Sequence, residues 1–161
     1  VKRPNLRDEI GKRNPFECRE QEVALNLLRS ADHLQADGAQ LLAEYGLTGA
    51  QYNVLRILRG HGGAGVPCQV VAGQMISRTP DITRLVDRLT EAGLACRDRS
   101  EQDRRLVLLK ITEAGLKLLA RLDQPILDMH RRQLAHLSRS ELDLLNRLLV
   151  KVRHSAQPDA K

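Results

Sequence analysis

The stretch Thr79-Pro80-Asp81-Ile82-Thr83-Arg84-Leu85-Val86-Asp87-Arg88-Leu89-Thr90-Glu91-Ala92-Gly93 decides the fold. Ile82, Leu85, Val86 and Leu89 recur at the three- and four-residue spacing of one helix face. Thr79 is the expected N-cap and Pro80 the first helical residue, where its missing N–H costs nothing; Asp81 suits the positive end of the helix dipole. Gly93 ends the run. The opposite face carries Thr83, Arg84, Asp87 and Arg88, polar groups able to meet base edges and phosphates in a major groove. Any surface helix could look like this, so the flanks have to decide.

Ahead of it, Pro67 to Met75 predicts a shorter helix with Val70 and Val71 inward, and Ile76-Ser77-Arg78 the turn between the two. Behind it come two short β-like runs, Leu94 to Arg97 and Leu106 to Ile111. The polar hairpin Asp98 to Arg105 lies between them. Arg97, Arg99, Arg104 and Arg105 crowd into this region, but Asp98, Glu101 and Asp103 offset most of their charge. It is no plain polybasic patch; Asp103 is placed to brace Arg105 and aim it. Helix, turn, second helix and charged hairpin form the order of a winged helix-turn-helix over residues 47–111.

Long helices flank this unit. Glu17 to Tyr45 carries an apolar stripe of Val23, Leu27, Leu34, Leu41 and Leu42, weakened locally by Gly38. At ~1.5 Å per residue it would reach about 40 Å, longer than a small domain needs for itself. Thr48 with Gln51 three residues on predicts a capping box for the next helix, Gly49 to Arg59, with Tyr52, Leu55 and Leu58 on its apolar side. Thr112 caps a further helix towards Leu134, which Pro125 should bend or divide. Ser138 and Glu141 form another capping box before a last helix bearing Leu142, Leu145, Leu148, Leu149 and Val152. Residues 1–16 read as a flexible arm and 156–161 as a flexible tail. The fold class is thus mostly α with a small β-hairpin (α+β), with pairing segments expected at 17–46 and 112–155.

Composition bounds the function. The 161 residues carry 26 Lys plus Arg against 20 Asp plus Glu, a formal +6, which suits nucleic acid or another anionic surface. Only Phe16, Tyr45 and Tyr52 are aromatic, so Leu, Val, Ile and Ala must fill the core. No run of eighteen apolar residues suggests a membrane span, and no secretory leader is legible, so a cytoplasmic location is the expectation. Cys18, Cys68 and Cys96 lie too far apart for a disulfide framework or a structural zinc site; Cys96 reads as a small core residue. The five histidines form no metal motif, and no cofactor is expected. Nucleophile-elbow, zinc-protease and deaminase patterns are absent. Asp123 and Asp128 suit solvated helix faces better than acid–base work, so an enzyme is not expected.

The linked motifs Thr83-Arg84-Leu85-Val86-Asp87-Arg88-Leu89, Glu91-Ala92-Gly93-Leu94, Arg97, Asp103-Arg104-Arg105 and Leu109-Lys110-Ile111-Thr112-Glu113-Ala114-Gly115 resemble the multiple-antibiotic-resistance regulator (MarR) family of winged-helix transcription factors. The resemblance spans about residues 17–155. It implies a homodimer whose terminal helices interlace and whose two recognition helices enter successive major grooves of a palindromic double-stranded DNA. By position, the polar face from Arg78 to Arg88 would enter the groove. Thr79, Thr83 and Arg84 would contact bases or nearby phosphates, in no assignable order. Arg105 would approach the minor groove with Asp103 as brace, and Arg99 and Arg104 would hold the backbone. Asp81 would either cap locally or accept from a cytosine amino group, and Asp87 would pair with Arg84 or Arg88.

The resemblance further implies a repressor relieved by a small apolar or phenolic anion. Some relatives sense peroxide through a cysteine in the first helix, where Cys18 would stand, although the tyrosine pair of those sensors is absent here. The competing reading is a non-catalytic helical protein-interaction module that has lost DNA binding.

Overall fold

The computed structural model describes residues 4–77, 81–99 and 106–154. Their order is α1 (Leu6–Glu9), α2 (Arg19–Ala43), α3 (Gly49–Gly60), β1 (Val66–Pro67), α4 (Cys68–Gln74), α5 (Ile82–Glu91), β2 (Ala95–Arg99), β3 (Val107–Ile111), α6 (Glu113–Leu134) and α7 (Arg139–His154). Two compact units divide the chain, residues 1–126 and 127–161.

In the first unit the core is aliphatic. Val54, Leu55 and Leu58 from α3, Val71 from α4, Val86 and Leu89 from α5, Leu109 from β3 and Leu119 and Leu122 from α6 are all buried. Each comes from the apolar side of its own helix or the inward side of its strand. The sheet is antiparallel in the order β1-β3-β2, with Val66 opposite Leu109, and Ala95, Arg97 and Arg99 opposite Ile111, Leu109 and Val107. Directly opposed residues share a face. Ala95, Arg97 and Arg99 therefore run along one side of β2, from the buried Ala95 outward.

The caps explain most helix starts. The hydroxyl oxygen of Thr48 accepts from the Gln51 N–H, and the Gln51 carbonyl oxygen accepts from the Thr48 N–H at 2.9 Å, closing the expected box. Thr112 Oγ1 accepts from the Gly115 N–H at 3.1 Å and opens α6. In the second unit, Glu141 accepts from the Ser138 N–H at 2.8 Å and from its hydroxyl at 2.7 Å. Hydrogen bonds from Ser138 hold the Glu141 carboxyl below its ordinary pKa.

Several expectations change. Helix α5 starts at Ile82, and its N-cap is Asp81, whose carboxylate accepts from the Arg84 N–H at 2.9 Å. Thr79 and Pro80, expected to cap and open it, lie outside the described residues. Pro67 ends β1 instead of opening α4; an edge strand tolerates a residue with no N–H to give. Val70 is exposed where it was expected inward, because a seven-residue helix has one inward position per turn and Val71 fills it. Cys96 is exposed, since the strand alternation turns Ala95 inward and Cys96 out.

Within residues 1–16, expected to be a flexible arm, α1 forms with Asn5 capping through Asp8 and with Leu6 buried. Neither Gly38 nor Pro125 ends its helix: α2 and α6 run through them. The buried Leu122 and Ile126 hold α6 on either side of Pro125, and a single helical glycine costs α2 only about 1 kcal/mol.

Candidate nucleic-acid interface

The face of α5 away from the core presents Thr83, Arg84 and Arg88 to solvent, while Val86 and Leu89 anchor the helix and Ile82 and Leu85 are half-buried beside them. The helix is closed at both ends. Asp81 holds the first turn, as above. At the other end Gly93, at φ +68°, donates to the Thr90 carbonyl at 2.9 Å and Leu94 to the Leu89 carbonyl at 2.9 Å. This left-handed Schellman turn favours glycine because a side chain there would strain the backbone.

The turn before α5 is tied to α3: the Asn53 side-chain oxygen accepts from the Ile76 N–H at 2.8 Å. Ile76 itself is 90% exposed. Asn53 lies beside the apolar stripe of α3, and helical spacing alone gave no sign of this reach.

On the hairpin, Lys110 and Asp98 join across the strands at 2.9 Å, on the side opposite Arg97 and Arg99. The Lys110 ammonium, with the Arg99 N–H, holds the Asp98 carboxyl below its ordinary pKa. Arg97 pairs with Asp87 at 2.7 Å. Asp87 therefore meets a strand residue, not the expected Arg84 or Arg88: its carboxylate sits on the side of α5 that β2 packs against. Among the described residues neither Arg84 nor Arg88 is in an ion pair, so both guanidinium groups face solvent uncommitted.

Two further ties fasten this lobe to α6. Thr112 Oγ1 donates to the Gly93 carbonyl at 2.7 Å and the Thr112 N–H to the Leu94 carbonyl at 3.1 Å. The start of α6 is thereby joined to the turn that ends α5, so two motifs nineteen residues apart in sequence meet. The second tie is a fork: Arg59 on α3 gives Asp123 hydrogen bonds of 2.8 and 2.7 Å, and Arg56 adds one of 3.4 Å. Hydrogen bonding from Arg59 holds the Asp123 carboxyl below its ordinary pKa and raises that of Arg59.

Arg78 and Thr79 on the approach to α5, and Asp103, Arg104 and Arg105 in the hairpin, lie outside the described residues. Arg99, at the end of β2, is exposed. The structure thus brings together Thr83, Arg84 and Arg88 on one surface.

Cys18 stands elsewhere, exposed at the start of α2 beside an open depression of about 540 Å³ that Arg7, Phe16, Arg19 and Glu22 also line. Asp123 and Asp128, the weakest acid–base candidates, are held by Arg59 and Arg131. Among the described residues no three His, Cys, Asp or Glu side chains cluster as a metal site requires. None of the described helices is long and apolar enough to cross a membrane.

Comparison with known proteins yields the same kind of molecule. The family model for the transcriptional regulator SarA/Rot matches residues 39–122, just over half of the chain. A MarR transcription factor from Planctomyces limnophilus is 40% identical, with a TM-score of 0.65, over 84% of this chain and 98% of that one. S. aureus MepR in its complex with DNA is 25% identical with a TM-score of 0.72, over 81% of this chain and 96% of that one. PcaV from Streptomyces coelicolor, in complex with its natural ligand, is 25% identical with a TM-score of 0.67, over 89% and 98%.

Proposed function

The chain belongs to the MarR family of winged helix-turn-helix, DNA-binding transcription regulators, its central half matching the SarA/Rot type, and from that premise we propose that it is a cytoplasmic homodimeric repressor of palindromic operators. The observation that carries this reading is the outward face of α5. Among the described residues Thr83, Arg84 and Arg88 have no ion pair, on a helix whose other face is locked into the core.

Thr79, Thr83 and Arg84 meet bases or adjacent phosphates, and Arg78 and Arg88 extend the contact along the groove. Arg99 and Arg104 hold the backbone, while Arg105, braced by Asp103, reaches the minor groove. Asp81 acts as the helix cap, its carboxylate accepting from the Arg84 N–H.

Pairing through residues 17–46 and 112–155 is supported by what a single chain leaves uncovered. Val23, Leu28 and Leu34 on α2, and Leu144, Leu145, Leu148 and Val152 on α7, are each more than a third exposed. A large exposed apolar face is costly unless a partner covers it. Repression needs only that a bound dimer occupy a promoter. Its relief by a small apolar or phenolic anion requires that ligand to prefer one spacing of the two α5 helices; that a similar protein takes a ligand at all is seen in PcaV, solved with its natural ligand.

Light scattering and fluorescence-anisotropy titration against the inverted repeat nearest its own gene test this reading. A dimer mass, one dimer per duplex and an affinity falling steeply with salt are expected, since each neutralised phosphate contributes about −0.9 to the slope of log K against log salt. Equal affinity for unrelated duplexes would favour the interaction-module reading instead.

A further inference from the structure

Asp87 is out of place on a helix that meets DNA. A carboxylate beside Arg84 and Arg88 repels phosphate, so if it were incidental its removal would tighten binding. The structure gives it a specific partner: Asp87 Oδ1 lies 2.7 Å from Arg97 Nη2. Arg97 is central in β2, directly across from Leu109, which is 2% exposed. Its stem thus starts on the core side of the sheet and its head emerges at α5, as long basic side chains do at the rim of an apolar surface.

Arg99 follows on the same side of the same strand, one step further out. Between α5 and β2 the backbone provides only the Gly93–Leu94 turn. Beyond that turn β2 is held by its pairing with β3, and only side-chain contacts join it directly to α5. Asp87–Arg97 is an ion pair between the two elements.

We propose that Asp87 and Arg97 are positioning residues for DNA recognition, neither touching the duplex. The pair sets the angle between the recognition helix and the strand that carries the wing, so that groove and backbone contacts form together. Arg97 accordingly supplies no phosphate contact, its charge being committed to Asp87. This rests on the DNA-binding reading for its purpose, but the mechanical coupling exists in the free protein and is measurable there.

The test uses full-length protein, the substitutions Asp87→Asn and Arg97→Gln, and the charge swap Asp87→Arg with Arg97→Asp. The probe is a labelled duplex enriched from a random pool by the unsubstituted protein. Each single substitution should weaken binding by roughly five- to tenfold, a scale typical of directly coupled pairs. The swap should recover most of it. The salt slope should not change in Arg97→Gln, whereas loss of a phosphate contact would reduce it by about 0.9. Unchanged or tighter binding by Asp87→Asn, or a reduced slope in Arg97→Gln, overturns the proposal.

Amide exchange in the DNA-free protein decides the mechanical part separately. The amides of β2, Ala95 to Arg99, should exchange faster in both single substitutions and recover in the swap. Unchanged protection sinks the brace even if DNA binding is lost. Failure of the unsubstituted protein to enrich any duplex would instead strike the DNA-binding reading and leave the exchange result to judge the pair.

Discussion

Gly115→Ala tests the junction of α5 and α6, because two physical effects predict opposite signs. Gly115 is the third residue of α6, and alanine in place of a helical glycine normally stabilises by about 0.5–1 kcal/mol. Here the added methyl would overlap the Leu94 carbonyl oxygen and lie 2.8 Å from Ile111 Cγ1. Leu94 cannot simply retreat: its oxygen accepts the Thr112 N–H at 3.1 Å, and the neighbouring Gly93 carbonyl accepts the Thr112 hydroxyl at 2.7 Å. Overpacking costs about 1–3 kcal/mol, and a hydrogen bond stretched in relief forfeits about 1 kcal/mol more. The clash therefore wins, with a net loss of roughly 1–3 kcal/mol and, for a chain of this size, a Tm lowered by roughly 3–8 °C.

Gly73→Ala is the control. Nothing lies within 4 Å of the methyl it would add, so it should gain up to about 1 kcal/mol and raise Tm by roughly 2–3 °C. Thermal unfolding followed by far-UV circular dichroism, at one fixed protein concentration because pairing would make Tm concentration-dependent, reads both. If Gly115→Ala is as stable as the parent, or rises with Gly73→Ala, the α5–α6 junction is not the close contact described.

Asp123→Asn should cost about 1 kcal/mol, the modest value reflecting a fork that is partly open to water. Because the folded Asp123 carboxyl lies below its ordinary value, its contribution is complete above about pH 4 and fades as pH falls through the folded-state pKa. Urea unfolding at neutral pH and near pH 3 should show the gap between parent and variant closing in acid; a gap that widens refutes the fork. Leu89→Ala, at a fully buried site, should lose about 2–5 kcal/mol in the same assay, and a loss under 1 kcal/mol would mean that α5 is not anchored there. Leu148→Glu on α7 should dissociate the dimer in sedimentation velocity and take operator binding with it, whereas an unchanged mass would move the pairing surface elsewhere.

Periodicity and capping made much of this architecture legible. Ile82, Leu85, Val86 and Leu89 fall on the core side of α5, and the Thr48, Thr112 and Ser138 caps stand where their residue types placed them. Local rules failed where two candidates lay close together. Thr79 and Asp81 can both cap, and Asp81 does so because its carboxylate reaches the Arg84 N–H. A two-residue strand such as Val66–Pro67 has no period to detect, and its existence depends on Leu108 and Leu109 across the sheet.

Long-range polar ties were illegible for a different reason. Asp87 has two arginines within helical reach, so sequence distance pointed to Arg84 or Arg88; the fold supplies Arg97. Asn53 to Ile76 and Arg59 to Asp123 likewise join helices that only packing brings together. Thr112, legible as a cap, has a second role at Gly93 that became visible only when the two turns were seen in contact. The apolar stripes of α2 and α7 pose the reverse case: the pattern marks a buried face, yet one chain leaves Val23 and Leu148 more than half exposed.

The most direct measurement enriches duplexes from a random pool with the full-length protein and with Arg84→Ala, and compares the recovered sequences. The unsubstituted protein should recover an inverted repeat whose half-sites are about ten base pairs apart, centre to centre, and Arg84→Ala should relax the preference at the same positions in both halves. Recovery of no preferred sequence, or of an identical preference with and without Arg84, would contradict an exposed α5 face that reads DNA.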